Sequence, residues 1–271
     1  MLILRQVDDD PEPRQNFLLC ESKVFKKREE TVMNESNFIE LKFTESDKPF
    51  KERYLKWLVE QDIDTLDFVH QFPLFSGFNN LARYLTFYDL YKQVYELAGD
   101  IADVGTYKGA SFMMFTKLVK LFEPYTYTQV HAYDWFEGMA PTTEDDKRHA
   151  GEYVGDYEML RKLLELQELS DIGKIHKLDL TKSLPEHFEQ YSYLRFKLCF
   201  IDCGIKEVLE ESLKHFWPRV VNGGIVILDH YNLPVSPYEC DVIEKYTNCK
   251  IQQCAYTRQP TGYVVKKSGS S

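Results

Sequence analysis

Five aspartates and one histidine stand where short apolar runs of this chain end: Asp103, Asp134, Asp179, Asp202, and Asp229 with His230 beside it. If those runs are parallel strands, the residues sit at the carboxyl edge of a sheet, where ligands of open α/β folds bind. The first run continues as Asp103-Val-Gly105-Thr106-Tyr107-Lys-Gly109. Glycine lets a backbone turn tightly and approach a ligand, and a helix N-terminus just after it favours a carboxylate or phosphate. The spacing DxGxxxG is not the GxGxxG of a dinucleotide site, which argues against an NAD-dependent oxidoreductase. It suits the methionine part of S-adenosylmethionine, with Asp103 near the amino group. Asp134, followed by Trp135, can accept hydrogen bonds from the two vicinal hydroxyls of a ribose, and Asp179 would face the adenine side. Each feature has a plainer reading, an ordinary strand–helix turn or a loop-capping aspartate. Three acids ending successive strands nevertheless point to a nucleoside-type ligand.

The fourth and fifth runs, LCFID and GIVILDH, end in Asp202 and in Asp229-His230. Adjacent strand ends would bring two carboxylates and an imidazole to one rim, and such a group wants a cation between its members. A divalent metal held by Asp202, Asp229 and His230 is the expectation. The alternative is that both aspartates cap the loops after them and that His230 is a structural histidine. A hydroxyl activated at this rim would lose its proton to Asp202 first and His230 second, in the order we expect for a general base.

The elements that position these residues follow from periodicity. Strand-like runs at 101–105, 130–134, 174–179, 198–202 and 224–230 alternate with amphipathic helical stretches at 111–122, 157–169 and 207–217. That alternation predicts an α/β fold of Rossmann-like type with a parallel sheet covered on both faces. KIQQCAYT and GYVVKK, joined by RQPTG, predict an antiparallel hairpin at the sheet edge, as in the seven-stranded methyltransferase variant. Before Gly99, which is expected to close its helix, Leu81, Leu85, Tyr88, Tyr91 and Tyr95 line one helical face. Residues 1–75 are expected to form an extension, a helical lid or a dimer contact, and 76–271 the main domain. The long polar stretch 137–156 has the length of a lid, with Lys147, Arg148 and His149 either meeting a substrate diphosphate or forming a solvated charge run.

A formal net charge of −10 argues against nucleic acid or an anionic membrane surface as partner. No apolar run is long enough to span a bilayer, the N-terminus does not read as a signal peptide, and the six cysteines include no CxxC pair. A cytoplasmic protein with buried thiols at Cys199 and Cys203 is expected.

With these residues assembled, residues 77–267 resemble the macrocin O-methyltransferase family, class I enzymes that methylate sugar hydroxyls in macrolide, aminocoumarin and related pathways. The stretches that carry the resemblance are DVGTYKGA, YDWFEGM, TKSLP and IDCGIKEVLEESL…NGGIVILDHY, the last aligning without a gap from Ile201 to Tyr231. The resemblance implies S-adenosylmethionine as cofactor, a small-molecule hydroxyl as acceptor, a homo-oligomer such as a dimer, and magnesium at Asp202, Asp229 and His230. The chain departs from the family where His230 replaces an aspartate and Lys206 a tyrosine. Imidazole suits manganese, iron or zinc better than magnesium. Two rival functions are a catechol or phenol O-methyltransferase and an inactive methyltransferase-fold binding module.

Overall fold

A computed structural model describes residues 48–139, 151–234 and 236–268. Lys147, Arg148 and His149 lie outside the described residues. The chain divides into two units between Phe75 and Ser76, each described by itself. In the first, α1 (Lys48–Glu60), α2 (Thr65–His70) and α3 (Phe72–Phe75) follow one another. Asp64 caps α2 by accepting from the Leu66 amide at 2.8 Å. The Tyr54 hydroxyl donates to the Phe75 carbonyl at 2.8 Å, tying α1 to α3.

The second unit begins with α4 (Phe78–Val94) and then alternates: β1 (Asp100–Val104), α5 (Ala110–Phe122), β2 (Val130–Asp134), α6 (Tyr157–Leu166), β3 (Gly173–Lys177), α7 (Leu184–Gln190), β4 (Phe196–Ile201), α8 (Lys206–Phe216), β5 (Val220–Leu228), α9 (Glu239–Thr247), β6 (Ile251–Gln253) and β7 (Gly262–Val265). The seven strands form one sheet in the order β3-β2-β1-β4-β5-β7-β6. The first five pair in parallel, and β7 is antiparallel to both of its neighbours. This is the Rossmann-like methyltransferase arrangement expected from the strand–helix alternation. Strands are added outward on one side of β1 through β2 and β3 and then on the other through β4 and β5, so the crevice for a ligand opens where this order switches, above β1.

Near-continuous apolar strands bury side chains on both faces. Ile101, Leu198, Phe200, Ile225 and Ile227 point into one core with α4, α5 and α6. Ala102, Val104, Cys199, Ile201, Val226 and Leu228 point into the other with α7, α8 and α9. Cys199 and Cys203 are both buried free thiols. No helix among the described residues is long and apolar enough to cross a membrane.

Two local expectations are changed. Helix α4 ends at Val94, five residues before Gly99, which instead sits at the entry to β1 with φ +139°. A side chain at Gly99 would crowd the backbone of Lys197, so it serves strand packing rather than helix capping. The face that α4 buries carries Arg83, Phe87, Leu90, Tyr91 and Val94, while Leu81 and Leu85 are exposed. The two apolar stripes on this helix compete, and the sheet selects the one that carries an arginine.

Beneath β2 and β3, three imidazoles and a phenol share one pocket. His131 Nδ1 and His176 Nε2 are 2.9 Å apart, and His187 Nε2 is 3.3 Å from the Tyr133 hydroxyl. Burial, then neighbouring imidazoles, lowers His176 from the usual 6.5 to about 3, and burial lowers His187 to about 4. Between pH 6.5 and those values the unfolded chain binds protons that the native state does not, so stability falls as pH falls. The slope is at most about 1.4 kcal/mol per pH unit for each such group. Chemical unfolding at pH 7.5 and at pH 5 is therefore expected to show a smaller acid loss for His176→Gln than for the natural chain. Equal losses would refute the assignment.

Candidate active site

The loop after β1 is built around two left-handed glycines. Gly105 has φ +83° and Gly109 has φ +88°. A Cβ at Gly105 would collide with the Asp202 carbonyl oxygen, and one at Gly109 with Leu160. The close approach draws the loop against the end of β4. The Gly105 amide donates to the Tyr133 carbonyl at 2.9 Å, and the Asp202 amide donates to the Val104 carbonyl at 2.9 Å. Three strand ends are thereby locked in register. Gly109 is also the N-cap of α5, and no side chain caps that helix, leaving first-turn amides available to an anion.

Asp103 lies under this loop with no exposed surface. Both carboxylate oxygens are sealed from solvent and neither completes a hydrogen bond, although the Ser111 and Thr106 hydroxyls lie close enough to moderate its charge. Burial lifts its pKa from 3.8 to about 7. An uncompensated buried carboxylate costs several kcal/mol, on the order of 1–3 even for a neutral polar group, so such a site wants a cationic partner. Thr106 turns its hydroxyl to the Asp103 carbonyl at 2.9 Å. Tyr107, at φ +53°, packs edge-on against Tyr153 with centroids 5.4 Å apart.

Asp134 is held by backbone. Its Oδ2 accepts from the Tyr107 amide at 2.8 Å and its Oδ1 from the Phe136 amide at 2.7 Å. Burial raises its pKa, partly offset by those bonds. Each oxygen keeps a second lone pair for a ligand hydroxyl. The half-buried Trp135 donates its indole N–H to the Gly138 carbonyl. Asp179 lies beyond the end of β3 and turns inward on its own loop. It accepts from Thr181 Oγ1 at 2.6 Å, the Thr181 amide at 2.9 Å and Lys182 Nζ at 2.7 Å.

At the next rim β4 and β5 bring Asp202, Asp229 and His230 together, with one ligand atom from each lying within 4.8 Å of the others. Asp202 Oδ1 is 3.7 Å from His230 Nδ1, and Asp229 Oδ2 is 3.4 Å from His230 Nε2. The opposite oxygens face a side chain that the motifs did not flag. Arg83 of α4 places Nη1 2.5 Å from Asp229 Oδ1 and Nη2 3.4 Å from Asp202 Oδ2. Gln259 donates to Asp229 Oδ2 at 3.3 Å, and the His230 amide donates to Glu239 Oε1 at 3.3 Å. Burial lowers the pKa of His230, but Asp229, Asp202 and Glu239 together outweigh it and the net direction is up. Glu239, 3% exposed, is pushed up by burial to about 7. The signal for Arg83 was present in its spacing to Phe87, Leu90 and Val94. Gln259 and Glu239 lie in segments with no motif to mark them.

The two carboxylate oxygens and imidazole nitrogen fit a divalent ion on the His230 side of the rim. Two oxygens and one nitrogen suit manganese, iron or zinc better than magnesium. On the far side Arg83 already supplies a positive charge.

Residues 102–231 match a family model described as a methyltransferase domain. The fold resembles the crystal structure of CalS11, calicheamicin methyltransferase, with TM-score 0.73 and 21% identity over 82% of this chain and 93% of that one. An apo structure of CalS11, described as TDP-rhamnose 3'-O-methyltransferase, gives TM-score 0.68 at 21% identity, covering 82% and 95%. The O-methyltransferase NovP gives TM-score 0.58 at 16% identity, covering 69% and 81%. At these identities the likeness is one of fold. No curated protein sequence matches the chain.

Proposed function

We propose that the protein, whose residues 102–231 match a family model described as a methyltransferase domain, transfers the methyl group of S-adenosylmethionine to a hydroxyl of a small molecule. The observation that carries this reading is the buried Asp103 carboxylate, moderated only in part by the Ser111 and Thr106 hydroxyls, beside the uncapped N-terminus of α5. A buried acid that wants a cation, next to amides that want an anion, is complementary to a zwitterionic amino acid. Asp134 adds two acceptor oxygens suited to a ribose diol. A sugar acceptor is the class we favour, because CalS11 is described as acting on TDP-rhamnose.

In the reaction a bond forms between acceptor oxygen and methyl carbon, the carbon–sulfur bond breaks, and S-adenosylhomocysteine leaves with the electron pair. The chain's task is alignment and removal of the hydroxyl proton. Asp202, 30% exposed, reaches solvent at the rim and is our first choice to accept that proton; His230, 13% exposed, is the second. Asp229, 3% exposed, has both oxygens engaged and orients its neighbours. A divalent ion held by Asp202, Asp229 and His230 would supply Lewis-acid polarisation of the acceptor oxygen.

The test is transfer of labelled methyl from S-adenosylmethionine to panels of nucleotide-sugars and phenols. We expect turnover with sugars, and Asp202→Asn should lower kcat by roughly 10²–10⁴ with cofactor affinity unchanged. Turnover confined to phenols would move the acceptor class. Failure to bind S-adenosylhomocysteine in calorimetry would identify a binding module and end the enzyme reading.

A further inference from the structure

We propose that Arg83 is the resident cation of the Asp202–Asp229 pair, assembling this rim without a divalent ion and weakening its affinity for one. The two carboxylates come from neighbouring strand ends, and a single guanidinium reaches both, at 2.5 Å to Asp229 and 3.4 Å to Asp202. Its planar fork bridges separate acceptors in a way that a lysine point charge does not. The group is clamped as well as paired. Its central carbon lies 5.1 Å from the ring centroid of Phe87 and 5.1 Å from that of Phe200. Phe87 is on α4 and Phe200 on β4, and their rings, 5.0 Å apart and packed edge-on, form one apolar surface that a helix and the sheet present to the cation together.

Convergent carboxylates call for a positive charge, and here the charge is covalently part of the chain. An ion entering on the His230 side would share the same two carboxylates with the guanidinium. The two cations would repel across a partly buried rim, where the interaction is less screened than between fully exposed charges. Arg83 is therefore a positioning residue: it orients Asp202 and Asp229 and sets how strongly the rim takes up a metal.

This assignment rests on the rim being the metal site of the reading above, so the test uses neither cofactor nor acceptor, and its outcome is independent of whether methyl transfer occurs. The full chain is stripped with chelator. Manganese binding is followed by loss of the free-ion electron paramagnetic resonance signal, and thermal unfolding is recorded with chelator and with manganese. We expect the natural chain to unfold cooperatively in chelator, with its midpoint little changed by manganese. Arg83→Met should bind manganese at least about tenfold more tightly, the least expected from removing a like charge a few ångströms away. Its midpoint should fall in chelator and recover with manganese, whereas Arg83→Lys should keep an affinity near that of the natural chain. Loss of cooperative unfolding when the natural chain is stripped would overturn the proposal without any variant. So would an Arg83→Met protein that binds manganese no more tightly than the natural chain.

Discussion

Asp229→Ala is expected to lose about 3–5 kcal/mol of folding stability, the usual cost of leaving a buried charge without its partner. Asp229 is 3% exposed and its Oδ1 makes the shorter of the two ion pairs to Arg83. Asp202, 30% exposed and 3.4 Å away, is a poor substitute because solvent competes for it. The substitution strands the guanidinium against the Phe87 and Phe200 rings and also frees Gln259, which donates to the same carboxylate. Urea unfolding measures the loss. The double substitution Arg83→Met/Asp229→Ala should be more stable than Asp229→Ala alone, because it removes the stranded charge as well. If the double substitution is instead as unstable as the two single losses added together, the pair is not coupled and the argument fails.

Gly105→Ala is the second large effect. A left-handed backbone costs a residue with a side chain roughly 1–2 kcal/mol, and here the added Cβ also meets the Asp202 carbonyl oxygen. That oxygen belongs to the end of β4, held by the Asp202 amide bond to Val104, so relief requires strand ends to separate. Overpacking at a fixed site typically costs a further ~1–3 kcal/mol, which brings the combined loss to about 2–5 kcal/mol. Binding of S-adenosylhomocysteine should disappear with it, because the displaced loop carries the Asp103 and Asp134 geometry. Gly223→Ala is the control: Gly223 has φ +80°, but its nearest neighbour would be the flexible tip of Leu97 at 3.4 Å. It should show the backbone cost alone and leave ligand binding intact. Equal losses at the two glycines would show that the collision with Asp202 is not the cause.

Much of this molecule was legible from its residues. Apolar runs with helical stretches between them specify a parallel sheet, because strands covered on both faces must be apolar throughout. Asp103, Gly105 and Gly109 were readable together because the loop they form is local: strand end, tight turn and helix start lie within one short segment, while Asp134 was readable because it ends the neighbouring strand β2. Asp202 and Asp229 were readable because each ends a strand and the two strands are neighbours.

Other features depend on contacts that no local spacing encodes. Helix α4 carries two apolar stripes, and only docking on the sheet chose the one with Arg83. The same docking brings Arg83 to Asp229 across 146 residues of sequence. Asp179 shows the converse: its position after β3 is local, but Thr181 and Lys182 draw its carboxylate back onto its own loop. The amino-acid order by itself determined that two carboxylates end neighbouring strands, a placement whose mutual repulsion favours a cation beside them. Only the tertiary structure decided that a guanidinium from a distant helix meets that need, because long-range charge pairing is set by how elements rotate and pack.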